Sequence, residues 1–247
     1  MKNEKYVVLS ENALMQICHA ALEAFCIKHL TQKGKSKSRN KKYVETCGLL
    51  WGSLTKLPIT KDHCKIIYTI SQATIETSAS RNTDEIAPDD DSILLKRDLM
   101  SSFWPQNKFL GDFHTHPYRK TRFNFSEIDK EKLYEFSDED ISSIEDEVSF
   151  WAQHNYRIGL VITVVDMDRR RKKIEQKNNS TIVFNFGNYR IWIKAYYANY
   201  SSDRTSIKLN DRIKLTCPTL LGLEEYTTFG THQNGNHIEG DFGDFTD

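Results

Sequence analysis

At 247 residues and 38% hydrophobic composition, the chain is long enough to bury a core without disulfides or structural metals. Its 34 basic and 34 acidic residues cancel, so bulk charge argues for neither a nucleic-acid binder nor a membrane-surface protein. The longest apolar run, Ile158 to Val165 interrupted by Thr163, is far shorter than the roughly 20 residues of a spanning helix.

The opening MKNEKYVVLSENAL mixes charge into its first residues and does not read as a signal peptide. The five cysteines are odd in number and form no CxxC pair, so the expected compartment is reducing and cytoplasmic. Charge is patchy along the chain. Lys33 to Lys42 holds six cations and no anion, Arg169 to Lys173 is wholly basic, and Asp89 to Asp91 and Ser137 to Glu147 are acidic. All four read first as solvated loops or helix faces.

In chain order, Tyr6 to Leu9 is a β-branched run, and Ser10 is a helix N-cap for a stripe through Leu14, Ile17, Cys18, Ala21, Leu22 and Phe25. The basic Gly/Ser/Lys segment reads as a loop. Glu45 to Trp51 and Cys64 to Thr77 predict strands joined near Lys56 to Lys61, and Asn82 to Asp91 predicts a loop. Ser92 to Phe103 has helical spacing, Phe109 to His114 reads as a strand ended by Pro117, and Ser126 to Phe136 as a helix. Tyr156 to Val165 predicts a buried strand, and Thr181 to Phe186 and Tyr189 to Tyr197 form a hairpin around Gly187-Asn188. Beyond Tyr200 the pattern weakens, with one short element at Leu220 to Tyr226 and a polar tail expected to be partly disordered. The interleaving predicts an α/β or α+β fold with a mixed sheet flanked by helices: a first domain over 1–200 and a C-terminal extension over 201–247.

The chemistry gathers around His114-Thr115-His116. Strand alternation puts both imidazoles on one face, where they are able to share a metal ion. Asp129, in the next predicted helix, is placed to supply an oxygen. Two histidines and a carboxylate leave a fourth tetrahedral position open, as in catalytic zinc sites, and a water there becomes a nucleophile near neutral pH. Glu45 opens an apolar segment where a solvated glutamate is not needed, which suits a base that takes the water's proton. Ser126, one turn before Asp129, offers a hydroxyl to an oxyanion. Singly, each feature has a plain alternative. Two histidines are ordinary in a strand, Glu45 suits a strand edge, and Ser126-Glu127-Ile128-Asp129 equally fits a capping box.

Taken together, Glu45…Gly48-Leu49-Leu50-x-Gly52, His114-x-His116-Pro117 and Ser126-x-x-Asp129 resemble the signature of JAMM (JAB/MPN) zinc metallopeptidases, and the resemblance spans roughly Tyr6 to Tyr197. It implies a cytidine-deaminase-like MPN/JAB domain. Zn2+ would be held by His114, His116 and Asp129, with Glu45 as general base and acid and Ser126 at the oxyanion. The implied substrate is a peptide or isopeptide bond of a protein or peptide, such as a ubiquitin-like modifier. A non-catalytic scaffold is the second expectation, although such scaffolds typically lose the histidines or the glutamate. A nucleic-acid-binding relative is the weakest. The segment from Pro117 to Ile128 is two residues longer than the family's pattern, which predicts an outward bulge carrying Arg119, Lys120 and Arg122 to the cleft rim. His63, His154, His232 and His237 have no partner at metal spacing, Trp51, Trp104, Trp151 and Trp192 read as core or sheet packing, and Cys47 has no histidine that would make it a nucleophile.

Overall fold

A computed structural model describes residues 2–33, 36–60, 63–81, 86–168 and 174–223. In chain order the elements are β1 (Lys2–Leu9), α1 (Glu11–Cys26), β2 (His29–Lys33), β3 (Ser36–Lys41), β4 (Cys47–Thr60), β5 (His63–Ile75), β6 (Ser80–Arg81) and β7 (Ile86–Ala87). There follow α2 (Asp90–Phe103), β8 (Lys108–Tyr118), α3 (Phe125–Glu131), α4 (Asp138–Asp146), α5 (Val148–Gln153), β9 (Ile158–Asp166) and β10 (Ile174–Asn178). The last are β11 (Thr181–Phe186), β12 (Tyr189–Tyr200), β13 (Ile207–Asn210), β14 (Lys214–Thr216) and α6 (Pro218–Leu223).

One mixed sheet dominates, with strand order β10-β11-β12-β9-β8-β4-β5-β1-β14 and β13 paired to β12. The class is therefore mixed α and β, as the alternating pattern predicts. Helix α1 starts where Ser10 accepts the Ala13 N–H, and it buries Leu14, Ile17, Cys18, Ala21, Leu22 and Phe25 against one face of the sheet. Small residues (Ala13, Ala20, Ala21, Ala24) let the backbone sit close to the strands. Leu215 N–H donates to Asn179 O at 2.7 Å, which brings the β14 edge back to the β10–β11 turn and curls the sheet around this helix. The opposite face is covered by α2 to α5 through smaller clusters around Trp51, Trp151, Tyr156 and Trp192.

Several sequence expectations change. The basic segment after α1 is a two-stranded ribbon, β2–β3, and not a loop. Strand β4 continues through Lys56 to Thr60 where a turn was expected, and 61–62 lie outside the described residues. Of the expected Asn82–Asp91 loop, 82–85 lie outside the described residues, and α2 already begins at Asp90.

Pro117 does not end β8, which runs to Tyr118 and pairs with β9 there. The reason is directional. Thr115 N–H points to Thr46 O, so position 117 faces the same side, which β4 has already left, and the missing N–H breaks no ladder. Helix α3 stops at Glu131 because Lys132 takes a left-handed conformation (φ 55°), and the acidic Ser137–Glu147 stretch, read as a solvated loop or helix face, carries α4. Trp51, Trp151 and Trp192 are buried, but Trp104 is half exposed beyond α2. The chain past Tyr200 adds β13 and β14 to the main sheet rather than leaving it, and the tail from 224 lies outside the described residues.

Candidate metal centre

The site lies where β4, β8 and α4 meet. Beside His114, Thr46 and Thr115 lock the two strands: Thr46 N–H donates to the Thr115 hydroxyl and Thr115 N–H to Thr46 O, both at 2.9 Å. Cys47 is paired with His114, so the continued antiparallel register sets Glu45 opposite His116. Alternation then puts Asp112, His114, His116 and Tyr118 on one face of β8. Close approach makes this geometry possible, since a Cβ at Gly111 would lie 1.8 Å from Ile158 O.

The acid that meets the histidines is Asp140. His114 Nε2 and His116 Nε2 are 3.1 Å apart, and they lie 3.3 and 3.4 Å from Asp140 Oδ1 and Oδ2 respectively. Tetrahedral ligands about 2.0 Å from a zinc ion stand about 3.3 Å from one another, so this triangle has the size of a zinc coordination face. Among the described residues, His114, His116 and Asp140 form a group able to hold a metal ion. His116 Nδ1 lies 3.4 Å from Leu133 O, so Nδ1–H donates to that carbonyl and Nε2 is left for a metal. The His114 ring stacks on Phe136 at 5.2 Å and 13°.

Electrostatics agrees with the grouping. Burial opposes protonation of His114, but hydrogen bonding and charge from Asp140, with Asp112 and Glu45 behind it, raise its pKa overall. For Asp140, burial works against ionisation, and the two histidines overcome it and hold its carboxyl far below the usual range. Burial pushes Asp112 up to about 6, although Tyr156 Oη donates to its Oδ1 at 2.7 Å. Burial, then the charges of Glu45 and Asp140, also raise the Tyr118 phenol, which keeps it protonated beside the cleft. Cys47 is buried, and burial pushes its thiol up.

Of the residues singled out from the sequence, His114, His116 and Glu45 are brought to this place and Asp129 and Ser126 are not. Asp129 Oδ1 accepts from Lys177 Nζ at 2.5 Å and Trp192 Nε1 at 2.8 Å, fastening α3 onto the outer strands. Ser126 is exposed at the start of α3, its N–H donating to the Asn124 cap. The residues missed are Asp140 and Ser137, which repeat the Ser-x-x-Asp spacing eleven positions later. Ser137 caps α4: its hydroxyl accepts the Asp140 N–H at 3.1 Å and donates to Asp140 Oδ2 at 2.8 Å. Phe136 and Ile141 pack in one cluster on either side of that cap, the arrangement of a hydrophobic staple. That staple is the sequence signal that separates this Ser-x-x-Asp from the first.

The expected loop bulge is also resolved differently. The segment between His116 and Asp140 carries α3 as a separate lobe over β11 and β12. Lys120 is tied to Asp166 and Asp168, and the Arg119 guanidinium lies 4.2 Å over the Tyr43 ring. His63 lies 4.0 Å from Glu4, His154 is buried, and His232 and His237 lie outside the described residues. Among the described residues, no helix is long and apolar enough to cross a membrane.

No protein-family profile and no curated protein sequence matches the chain. Among solved structures, a Desulfitobacterium hafniense protein determined in solution aligns over 85% of this chain and 92% of its own, at 14% identity and a TM-score of 0.36, a likeness that carries no argument.

Proposed function

We propose that this protein is a zinc-dependent peptidase or isopeptidase of the JAMM kind, with the metal ligated by His114, His116 and Asp140. The observation that carries the reading is the His–His–Asp triangle with Glu45 held opposite His116 by the Thr46–Thr115 clasp. A zinc ion there would polarise a scissile carbonyl and acidify a water molecule. Glu45, half-buried and outside the ligand triangle, is the group to accept that water's proton and return it to the leaving amine. In this reading the Ser137 hydroxyl positions the ligand Asp140, and the Tyr118 phenol, on the same strand face as the histidines, is the donor able to face a developing oxyanion. The MPN/JAB fold belongs to the same proposal, supported by α1 packed against a mixed sheet whose central strands carry the motif. A protein tail, such as that of a ubiquitin-like modifier, is the substrate class.

The test is metal analysis of the purified chain together with cleavage of a panel of modifier fusions. One zinc per chain and hydrolysis abolished by chelation are expected. Glu45→Gln should keep its zinc and lose about 10² to 10⁴ in rate. A chain that takes up no zinc, or a Glu45→Gln variant that loses it, defeats the assignment.

A further inference from the structure

His114 and His116 stand on β8 and Asp140 on α4, yet one short connection touches all three side chains. It runs from Lys132 to Ser137, between α3 and α4. His116 Nδ1–H donates to Leu133 O at 3.4 Å, and the Phe136 ring lies nearly parallel to His114 at 5.2 Å. The Ser137 hydroxyl donates to Asp140 Oδ2 at 2.8 Å. The pose of two imidazoles and a carboxylate therefore depends on where these few residues sit. A connection between helices has no repeating ladder to fix it, so its place is set by whatever grips it from outside.

The grip comes from β12. Tyr196 pairs with Gly159 and Gly159 with Asp112, so Tyr196 stands in a cross-strand row that ends two residues from His114. Its Oη accepts the Phe136 N–H at 3.0 Å, and its ring stacks on Phe136 at 4.3 Å and 24°. Gly159 leaves the room for this, since a Cβ there would lie 2.8 Å from Phe136 Cζ. Phe136 thus lies between the Tyr196 ring and the His114 imidazole, in contact with both. Two residues along β12, on the same face, Lys194 Nζ lies 3.5 Å from Glu135 Oε1 and adds a weaker hold. Packing alone would be served equally by a phenylalanine at 196. What the hydroxyl adds is an acceptor for the buried Phe136 N–H, a group costly to leave unpaired.

We propose that Tyr196 is a positioning residue of the metal centre, acting through Phe136 and the Lys132–Ser137 connection to set the ligand triangle. It rests on the assignment of His114, His116 and Asp140 as ligands, and not on the peptidase reaction. Groups that orient metal ligands from outside are worth about 10- to 100-fold in metal affinity. Tyr196 should have an effect on that scale although it touches none of the three ligands. Without its hydroxyl the Phe136 N–H must find another acceptor, and the shift that allows this moves Leu133 O and the Ser137 cap with it.

The experiment titrates zinc into the full chain and its variants, and records the visible spectrum of each with Co2+ in place of zinc, a report on ligand geometry. Tyr196→Phe, which keeps the ring, should weaken zinc binding about tenfold and shift the Co2+ bands. Tyr196→Leu, which loses ring and hydroxyl together, should weaken it about 100-fold, so that phenylalanine restores part of the loss. Tyr200→Phe is the matched control. It removes a hydroxyl bond of the same 3.0 Å length from the same strand, to Tyr156 O, away from the connection, and should leave zinc affinity and the Co2+ bands unchanged. A merely structural tyrosine lowers the melting temperature of the metal-free chain and leaves both metal readouts alone. Parent-like zinc affinity and Co2+ bands in Tyr196→Phe, or an equal loss in Tyr200→Phe, would overturn the proposal while the ligand assignment stands. A parent chain that takes up neither metal overturns both.

Discussion

Asp129 and Asp140 each stand three residues after a serine near the start of a helix, and their neighbours give them different work. Asp129 is an internal anchor between Lys177 and Trp192, while Asp140 faces two imidazoles. Asp140→Asn should therefore weaken zinc binding by about 100-fold or more, since even outer-shell partners are worth about 10- to 100-fold. Asp129→Asn should keep zinc and lose about 1 to 3 kcal/mol of stability, as expected when charge-assisted hydrogen bonds are removed. Zinc titration of both variants beside their urea unfolding curves separates the two roles. If Asp129→Asn loses the metal and Asp140→Asn keeps it, the ligand assignment is reversed.

At the scale of elements, β12 carries an unusual burden. Lys194 is almost fully buried in it, 2.9 Å from Asp211 Oδ2 and 3.5 Å from Glu135 Oε1. The Lys194 hydrogen bond, against some burial cost, holds the Asp211 carboxyl below its ordinary 3.8. A depressed acid stabilises the fold above its unfolded value, and that contribution is lost as pH falls through the lower folded value. Unfolding measured from about pH 5 down to about pH 3 should show a shallower acid loss in Asp211→Asn than in the parent chain. A second element-level dependence joins β9 to the site. A Cβ at Gly159 would lie 2.7 Å from Tyr156 Oη and 2.8 Å from Phe136 Cζ, and Phe136 stacks on His114 just before the Ser137 cap. Gly159→Ala should therefore lower both stability and zinc affinity, and thermal melting with and without zinc measures each part.

For the whole molecule, the decisive contact is between its ends. β14 lies beside β1, and Ile213, Leu215, Cys217 and Leu220 are in the same core as α1. Burying each large apolar side chain is worth about 1.5 to 3 kcal/mol, so these residues together rival the about 5 to 15 kcal/mol by which a domain is stable. A chain ending at Tyr200, the boundary the sequence pattern suggests, should lose cooperative thermal unfolding that the full chain retains. A sharp melt at unchanged temperature would show the later strands to be dispensable.

What could be read from the residues alone was whatever is local or periodic. The Ser10 cap and stripe of α1, the Gly187-Asn188 hairpin, the buried strand before Asp166, and the pairing of His114 with His116 on one strand face all follow from spacing within a few residues. Glu45 was legible as well, because a charge opening an apolar strand needs a reason. The choice between the two Ser-x-x-Asp repeats was not local. It depended on Phe136 meeting Tyr196 and His114, on Leu133 O reaching His116, and on Trp192 and Lys177 claiming Asp129 first, contacts between residues 17 to 63 positions apart. Short-range patterns specify helices and strands because spacing alone sets which side chains share a face. Only the packed sheet, by bringing distant strands under one helix or another, decided which aspartate faces the two histidines and which became an anchor.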